Sequence, residues 1–193
     1  MSLRCESRLR ISAGFCLLVA WFTMVNGWRL TAVVLAAAAV HELGHWAVLK
    51  VLGTQVLGLR IGVLGAVLTV DSRGLSYGNE LAVTLAGPTA NLLSAAALAA
   101  AGWEMAAGAH IVLGSFNLLP IRPLDGGRAL YLGASWLLGP AAGETVARWT
   151  GGMVAAVLAV GLGWLMVRSG GSLWLLPAAV GALAAAGREC FGN

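Results

Sequence analysis

The stretch Leu35-Ala36-Ala37-Ala38-Ala39-Val40-His41-Glu42-Leu43-Gly44-His45-Trp46-Ala47-Val48-Leu49 decides how the rest of the chain is read. Three ionisable side chains stand close together with apolar residues on both sides. His41 and His45 are four apart, so on a helix their imidazoles project from one face and can reach a single ion. Glu42 is turned about 100° further round the helix. From there a carboxylate can bond a metal-activated water without being a ligand itself. The pattern therefore supplies two metal ligands and a general base. Zinc fits such a set and lowers the pKa of its water to about 7. On a solvated helix three polar residues mean little. At bilayer depth a charged side chain costs about 2.5–3.5 kcal/mol, and ionisable residues there are functional by default.

Composition agrees with a membrane setting. Of the 193 residues, 59% are hydrophobic and 10% charged, against about 45–50% and 25% in an average soluble domain. Too little charge is present to cover a water-facing surface. The 8 Trp and 27 Gly fit interfacial anchoring and close helix approach in a polytopic membrane protein. The net charge of +4 comes from basic residues at the ends of apolar runs. They read as topology signals, and no nucleic-acid partner is expected. Cys5, Cys16 and Cys190 are odd in number, form no CxxC and stand away from the histidines. A disulfide framework or thiolate metal site is not expected.

The expected fold is an all-α polytopic membrane protein with about six transmembrane helices, since about 20 apolar residues cross a bilayer. The spans are Ile11 to Trp28, Leu30 to Leu52, Glu80 to Gly102, a fourth from Met105 broken at Pro120 and Pro123 and resuming after Asp125, Val146 to Val167, and Leu173 to Gly187. The basic start, Met1 to Arg10, resembles a signal-peptide n-region, but no small-residue cleavage site follows, so the first span reads as uncleaved. Between the second and third spans, Val63 to Val70 is β-branched and Leu-rich, and Gly58, Gly62 and Gly65 disfavour a helix. This predicts a small β-hairpin or sheet at the membrane surface, with an irregular loop as the other reading. With a cytoplasmic N-terminus and six spans, ten Lys/Arg residues lie on the cytoplasmic side and only Arg29 and Arg168 outside. That bias predicts cytoplasmic termini and a site toward the cytoplasmic half of the second span. The whole chain, 1–193, reads as one membrane domain.

A catalytic zinc keeps three protein ligands and one open position. After His45, the candidates are Asp71, Glu80, Glu104, His110, Asp125, Glu144 and Glu189. Most fall at span ends or in loops. Asp125 differs, because it follows the two prolines that break the fourth span. Broken helices at membrane depth are tolerated where they line a cavity or are buried in protein. The other reading of Asp125 is an N-cap for the resumed helix.

Three motifs in order, His41 to His45, Gly87-Pro88-Thr89-Ala90-Asn91, and Asn117-Leu118-Leu119-Pro120 with Pro123-Leu124-Asp125-Gly126-Gly127-Arg128, resemble the site-2 protease family of intramembrane zinc metalloproteases. The likeness covers roughly residues 40–128 and looks closest to the bacterial sporulation branch, which processes a pro-sigma factor. It implies one zinc held by His41, His45 and Asp125, with Glu42 activating water. Asn117, Pro120 and Pro123 are implied to bind the substrate, with helix capping the other reading of Asn117. Asn91 is a supporting residue, read mainly as an interhelical hydrogen bonder, and His110 has no motif partner. The resemblance further implies a prokaryotic cell membrane, a membrane-tethered protein substrate such as a pro-sigma or anti-sigma factor, and a regulatory membrane protein. The PDZ and C-terminal nucleotide-sensing domains common among relatives are not expected here. Three alternatives stand beside this reading: a membrane zinc protease whose third ligand is Glu80, Glu104 or Glu144, a non-catalytic membrane binding protein that has kept the fold, against which the intact Glu42 argues, and a metal transporter using His41 and His45 as a transit site. Only one broken helix and no internal repeat are seen, which argues against the transporter.

Overall fold

The computed structural model describes residues 8–62, 65–70, 74–169 and 187. The chain divides into two compact units, Met1–Ser115 and Phe116–Asn193.

In the first unit the chain enters as strand β1 (Arg8–Ile11), which pairs parallel with β2 (Val56–Gly62). β2 pairs antiparallel with β3 (Gly65–Val70), giving a sheet ordered β1-β2-β3. The expected hairpin is therefore present, and Val63 and Leu64 lie outside the described residues. β3 alternates exposed and half-buried residues along its length, as a strand with one covered face does. The third strand was not anticipated. Arg8-Leu9-Arg10-Ile11 alternates polar and apolar, a period-two signal that its charge masks as the basic lead-in to a helix.

That strand shortens the first helix. Ser12 caps α1 (Ala13–Asn26) by accepting from the Phe15 amide at 3.2 Å. Gly27, at φ 81°, closes it, and α2 (Trp28–Val51) follows at once. The 14 residues of α1 rise about 21 Å, short of the roughly 30 Å hydrocarbon core. By contrast α2 and α3 (Tyr77–Ala100) have 24 residues each, about 36 Å. Ser76 caps α3 through the Asn79 amide at 3.2 Å. α4 (Glu104–Asn117) follows, its last two residues belonging to the second unit.

α2 and α3 pack where both are small. A Cβ on Gly44 would stand 2.6 Å from the Ala86 carbonyl oxygen and 2.9 Å from the Ala90 Cβ. Close backbone approach of this kind is how helices associate in lipid. The buried face of α2 is a narrow stripe of Thr31, Ala37, His41, His45 and Leu49. Much of the remaining apolar surface is open, including Leu93 and Val112.

In the second unit, α5 (Asp125–Leu138) and α6 (Pro140–Arg168) form a helical hairpin joined at Gly139, φ 90°. Pro140 begins α6, where a missing N–H costs nothing. α6 buries Gly143, Ala147, Gly151, Ala155 and Ala159, a small residue at every fourth position. Ile121 and Ala155 centre a core with Leu119, Leu124, Val154 and Leu158.

Among the described residues three helices are long and apolar enough to cross a membrane: α2, α3 and α6. They match the second, third and fifth expected spans. The fourth is met as two helices of 14 residues on either side of the proline segment. The first falls short, and the sixth, Leu173 to Gly187, lies outside the described residues apart from Gly187. Cation–aromatic pairs mark the ends of the long helices: Arg29 over Trp28 at 5.7 Å, Lys50 over Trp46 at 4.9 Å, and Arg168 over Trp164 at 5.2 Å. Such pairs place charge and indole at the headgroup level.

The hairpin of the second unit gives a direct test. A Cβ on Gly143 would collide with the Ser135 side chain and stand 2.7 Å from its amide nitrogen, whereas nothing lies within 4 Å of one on Gly161. Gly143→Val should destabilise the protein by about 1–3 kcal/mol through overpacking, read by denaturant unfolding in detergent. Gly161→Val should leave the transition within error of wild type.

Candidate metal centre

His41 and His45 are both buried, at 5% and 9% exposure, on the stripe of α2 that faces α3. Their rings meet edge to face at 81° with centroids 4.8 Å apart. The two Nε2 atoms converge to 3.1 Å. Two nitrogens on one tetrahedral zinc stand about 3.3–3.4 Å apart, given Zn–N bonds of about 2.0–2.1 Å. The donor pair therefore fits the ion.

The outer ring nitrogens are held too. His45 Nδ1 lies 2.7 Å from the Val83 carbonyl oxygen. A carbonyl only accepts, so Nδ1 carries the hydrogen and the lone pair is left on Nε2, aimed at the metal position. Pro88 stands inside α3 and has no N–H to offer the Thr84 carbonyl. The α3 backbone is thus short of one internal donor in the turn next to the carbonyl that His45 uses. His41 Nδ1 lies 3.2 Å from the Asn91 amide, and Asn91 in turn is 3.1 Å from His110 Nδ1. Asn91 is fully buried and His110 is 5% exposed. Asn91 is thus an interhelical hydrogen bonder, as expected, with a metal-ligand candidate as its partner. His110, set aside for want of a motif partner, has one in space. Its signal was a lone imidazole in an apolar helix.

Gly87 makes room for the pair. A Cβ there would be 2.8 Å from His41 Nε2 and would collide with His45 Nε2. Any side chain at this position would fill the space between the two donors. Glu42 is half-buried on the same helix, one residue past His41.

In the second unit, Asn117 ends α4 and Asp125 opens α5, with Pro120 and Pro123 between them. Asn117 therefore lies at a helix end, not in an extended segment. The N-cap of α5 is Leu124 and Asp125 is its first residue, so the capping role considered for Asp125 belongs to its neighbour. Both Asn117 and Asp125 are half-buried. The segment between the helices folds back tightly over the start of α5. A Cβ on Gly126 would stand 2.5 Å from the Leu119 carbonyl oxygen, and one on Gly127 2.6 Å from the Ile121 carbonyl carbon. That close approach is why Asp125 is followed by two glycines. Arg122 ties the segment to α6 with a forked pair to Glu144, at 2.9 and 2.7 Å, and stacks over Tyr131 at 5.4 Å. Both Glu144 oxygens are thereby engaged. Of the other glutamates weighed as ligands, Glu80 lies in the first turn of α3 and Glu104 opens α4. Asp71 and Glu189 lie outside the described residues.

Over 96% of its length the chain superposes on 90% of a solved structure titled "Site-2 Protease from Methanocaldococcus jannaschii", with a TM-score of 0.68 and 20% sequence identity. The chain has a site-2 protease fold. At that identity the likeness is one of fold alone. In sequence the chain is similar to a Synechocystis protein named "Putative zinc metalloprotease", 28% identical over 77% of this chain and 41% of that one. It is also similar to "Putative zinc metalloprotease Rip3" from two strains of Mycobacterium tuberculosis, 29% identical over 84% of this chain and 45% of the relative. The chain thus spans less than half the length of these curated relatives. No protein-family model matches it.

The role given to Gly87 is open to measurement. Gly87→Ala should weaken zinc binding by at least about tenfold, the scale of a disturbed ligand environment, in competition with a chromophoric chelator. Gly108→Ala, where a Cβ meets nothing within 4 Å, should bind zinc as wild type does.

Proposed function

We propose that this chain is a zinc endopeptidase of the site-2 protease family that cleaves a membrane-tethered protein in or near its transmembrane segment. One observation carries the reading: His41 and His45 turn their Nε2 atoms toward one point from the buried face of a helix long and apolar enough to cross a membrane. The fold and the names of the sequence relatives support it.

In this reading His41, His45 and Asp125 each give one ligand atom, two imidazole nitrogens and a carboxylate oxygen, to one zinc per chain. When bound, zinc supplies Lewis acidity, polarising the scissile carbonyl and acidifying water. Glu42 takes a proton from the attacking water and hands it to the leaving amine. Asn117, Pro120 and Pro123 hold the substrate in an extended form. A substrate helix hides its amides in internal hydrogen bonds and must be opened before attack. β3 is an outer strand of the sheet, as β1 is, and an extended substrate can add to it by backbone pairing. Lys50, Arg60, Arg122 and the other basic residues assigned to the cytoplasmic side, against only Arg29 and Arg168 outside, orient the chain with its site toward the cytoplasm of a prokaryotic cell membrane. A pro-sigma or anti-sigma factor has the required form of substrate, and a second membrane protein is the natural regulator of such a site.

The reading is tested with a membrane-tethered reporter and a zinc assay run in parallel. Glu42→Gln should keep zinc and lose cleavage by a factor of about 100 or more, the share of a general base. Asp125→Ala should lower both. Full cleavage by Glu42→Gln would overturn the protease reading. Proline at Val67 or Leu68 should reduce cleavage with zinc content intact, and unchanged cleavage would remove β3 from the substrate path.

A further inference from the structure

The buried row His45, His41, Asn91 and His110 crosses three helices, with contacts of 3.1, 3.2 and 3.1 Å. His45 is fixed at one end by the Val83 carbonyl oxygen, which demands a hydrogen on Nδ1 and leaves Nε2 bare. Beyond it, the row can carry its protons in two ways. In the first, His41 Nε2–H donates to His45 Nε2, the Asn91 Nδ2–H donates to His41 Nδ1, and His110 Nδ1–H donates to Asn91 Oδ1. This has the amide as the structure places it, Nδ2 toward His41 and Oδ1 toward His110. In the second, the two bonds at Asn91 run the other way, and the Nε2 atoms of His41 and His45 both present lone pairs, which only a cation between them satisfies. His41 Nδ1–H donates to Asn91 Oδ1, Asn91 Nδ2–H donates to His110 Nδ1, and His110 carries its hydrogen on Nε2.

A metal ligated through His41 Nε2 is compatible with only one of them. Nε2 must then offer its lone pair, so the neutral ring carries its hydrogen on Nδ1. The group facing Nδ1 must accept, and the Asn91 amide accepts only through Oδ1. Turning Oδ1 to His41 turns Nδ2 to His110, whose Nδ1 must in turn accept. Mixed arrangements leave two donors or two acceptors facing each other at a fully buried amide, which costs the desolvation of the unmatched group. Packing limits other escapes, since a Cβ on Gly114 would already stand 3.1 Å from the Asn91 Cβ and so α4 lies close against this residue.

We propose that zinc binding reverses the direction of this hydrogen-bond row, with the Asn91 amide turning over and His110 passing from its Nδ1–H to its Nε2–H tautomer. His110 is then a positioning residue. It favours the zinc-competent His41 by accepting from the amide that accepts from His41. The proposal rests on the zinc reading of His41 and His45.

The chain has 3 histidines, so a 15N ring spectrum of the full-length protein in detergent micelles resolves each, and His110→Asn identifies the His110 signals. Without zinc, in chelator, His110 should show the Nδ1–H pattern. With one equivalent of zinc it should show the Nε2–H pattern, and in Asn91→Leu its pattern should not respond to zinc. For affinity, His110→Leu should bind zinc about tenfold more weakly than wild type. His110→Asn, whose oxygen can stand near the Nδ1 position and accept, should recover most of the loss. A wild-type His110 pattern that is the same with and without zinc overturns the proposal while leaving the metal site standing. So does wild-type zinc affinity in His110→Leu. Failure of the wild type to bind zinc at His41 and His45 overturns both this proposal and the reading beneath it.

Discussion

The arrangement of the first unit depends on one requirement: two imidazoles buried in an apolar helix must each have their outer nitrogen engaged. An unpaired polar group in such a place costs several kcal/mol, with no water to relieve it. His45 meets the requirement with a backbone carbonyl and His41 with a side-chain amide, at 2.7 and 3.2 Å. Both partners come from α3. That single fact fixes the rotation and height of α3 against α2. It also explains the small residues between them, because a hydrogen bond from ring to backbone requires the helix axes to come close. Gly44 and Gly87 are the positions where that closeness is most severe.

The second unit solves a different problem by similar means. Two prolines remove backbone donors and break a helix that would otherwise run through. The freed segment is gathered back by contacts of its own: Gly126 and Gly127 let it lie on the start of α5, and Arg122 pins it to Glu144. A polar residue at the first position of α5 gains from the positive end of that helix, and Asp125 stands there. The result is an ordered break, not a loose one.

Much of this was legible in the sequence. The histidine spacing, the long helices α2, α3 and α6, the β-hairpin and the break at Pro120 and Pro123 all follow from local pattern, and local pattern is what a sequence displays. The misses share a cause. β1 needed the exposed edge of β2, some fifty residues away, as its partner, and edge pairing has no local signature beyond a short alternation. The shortness of α1 comes from that strand at one end and from Gly27 at the other. Leu124 as the N-cap in place of Asp125 is a shift of one residue, within the usual uncertainty of helix ends. The partnership of Asn91 with His110 is a meeting of two helices at 3.1 Å. Neither residue carries a spacing that announces the other.

That last miss shows where single-residue readings of membrane sequences fall short. Asn91 looked like helix–helix glue, which it is, and His110 looked like a stray. Glue in water is interchangeable, because solvent can replace either partner. Glue in a dry interior transmits, because a donor that becomes an acceptor at one end must be matched at the other. An amide carries one oxygen and one nitrogen, so it cannot accept on both sides. Asn91 therefore links the state of His41 to the state of His110 by valence alone, without any movement of the helices. A metal that fixes one ring nitrogen fixes the row.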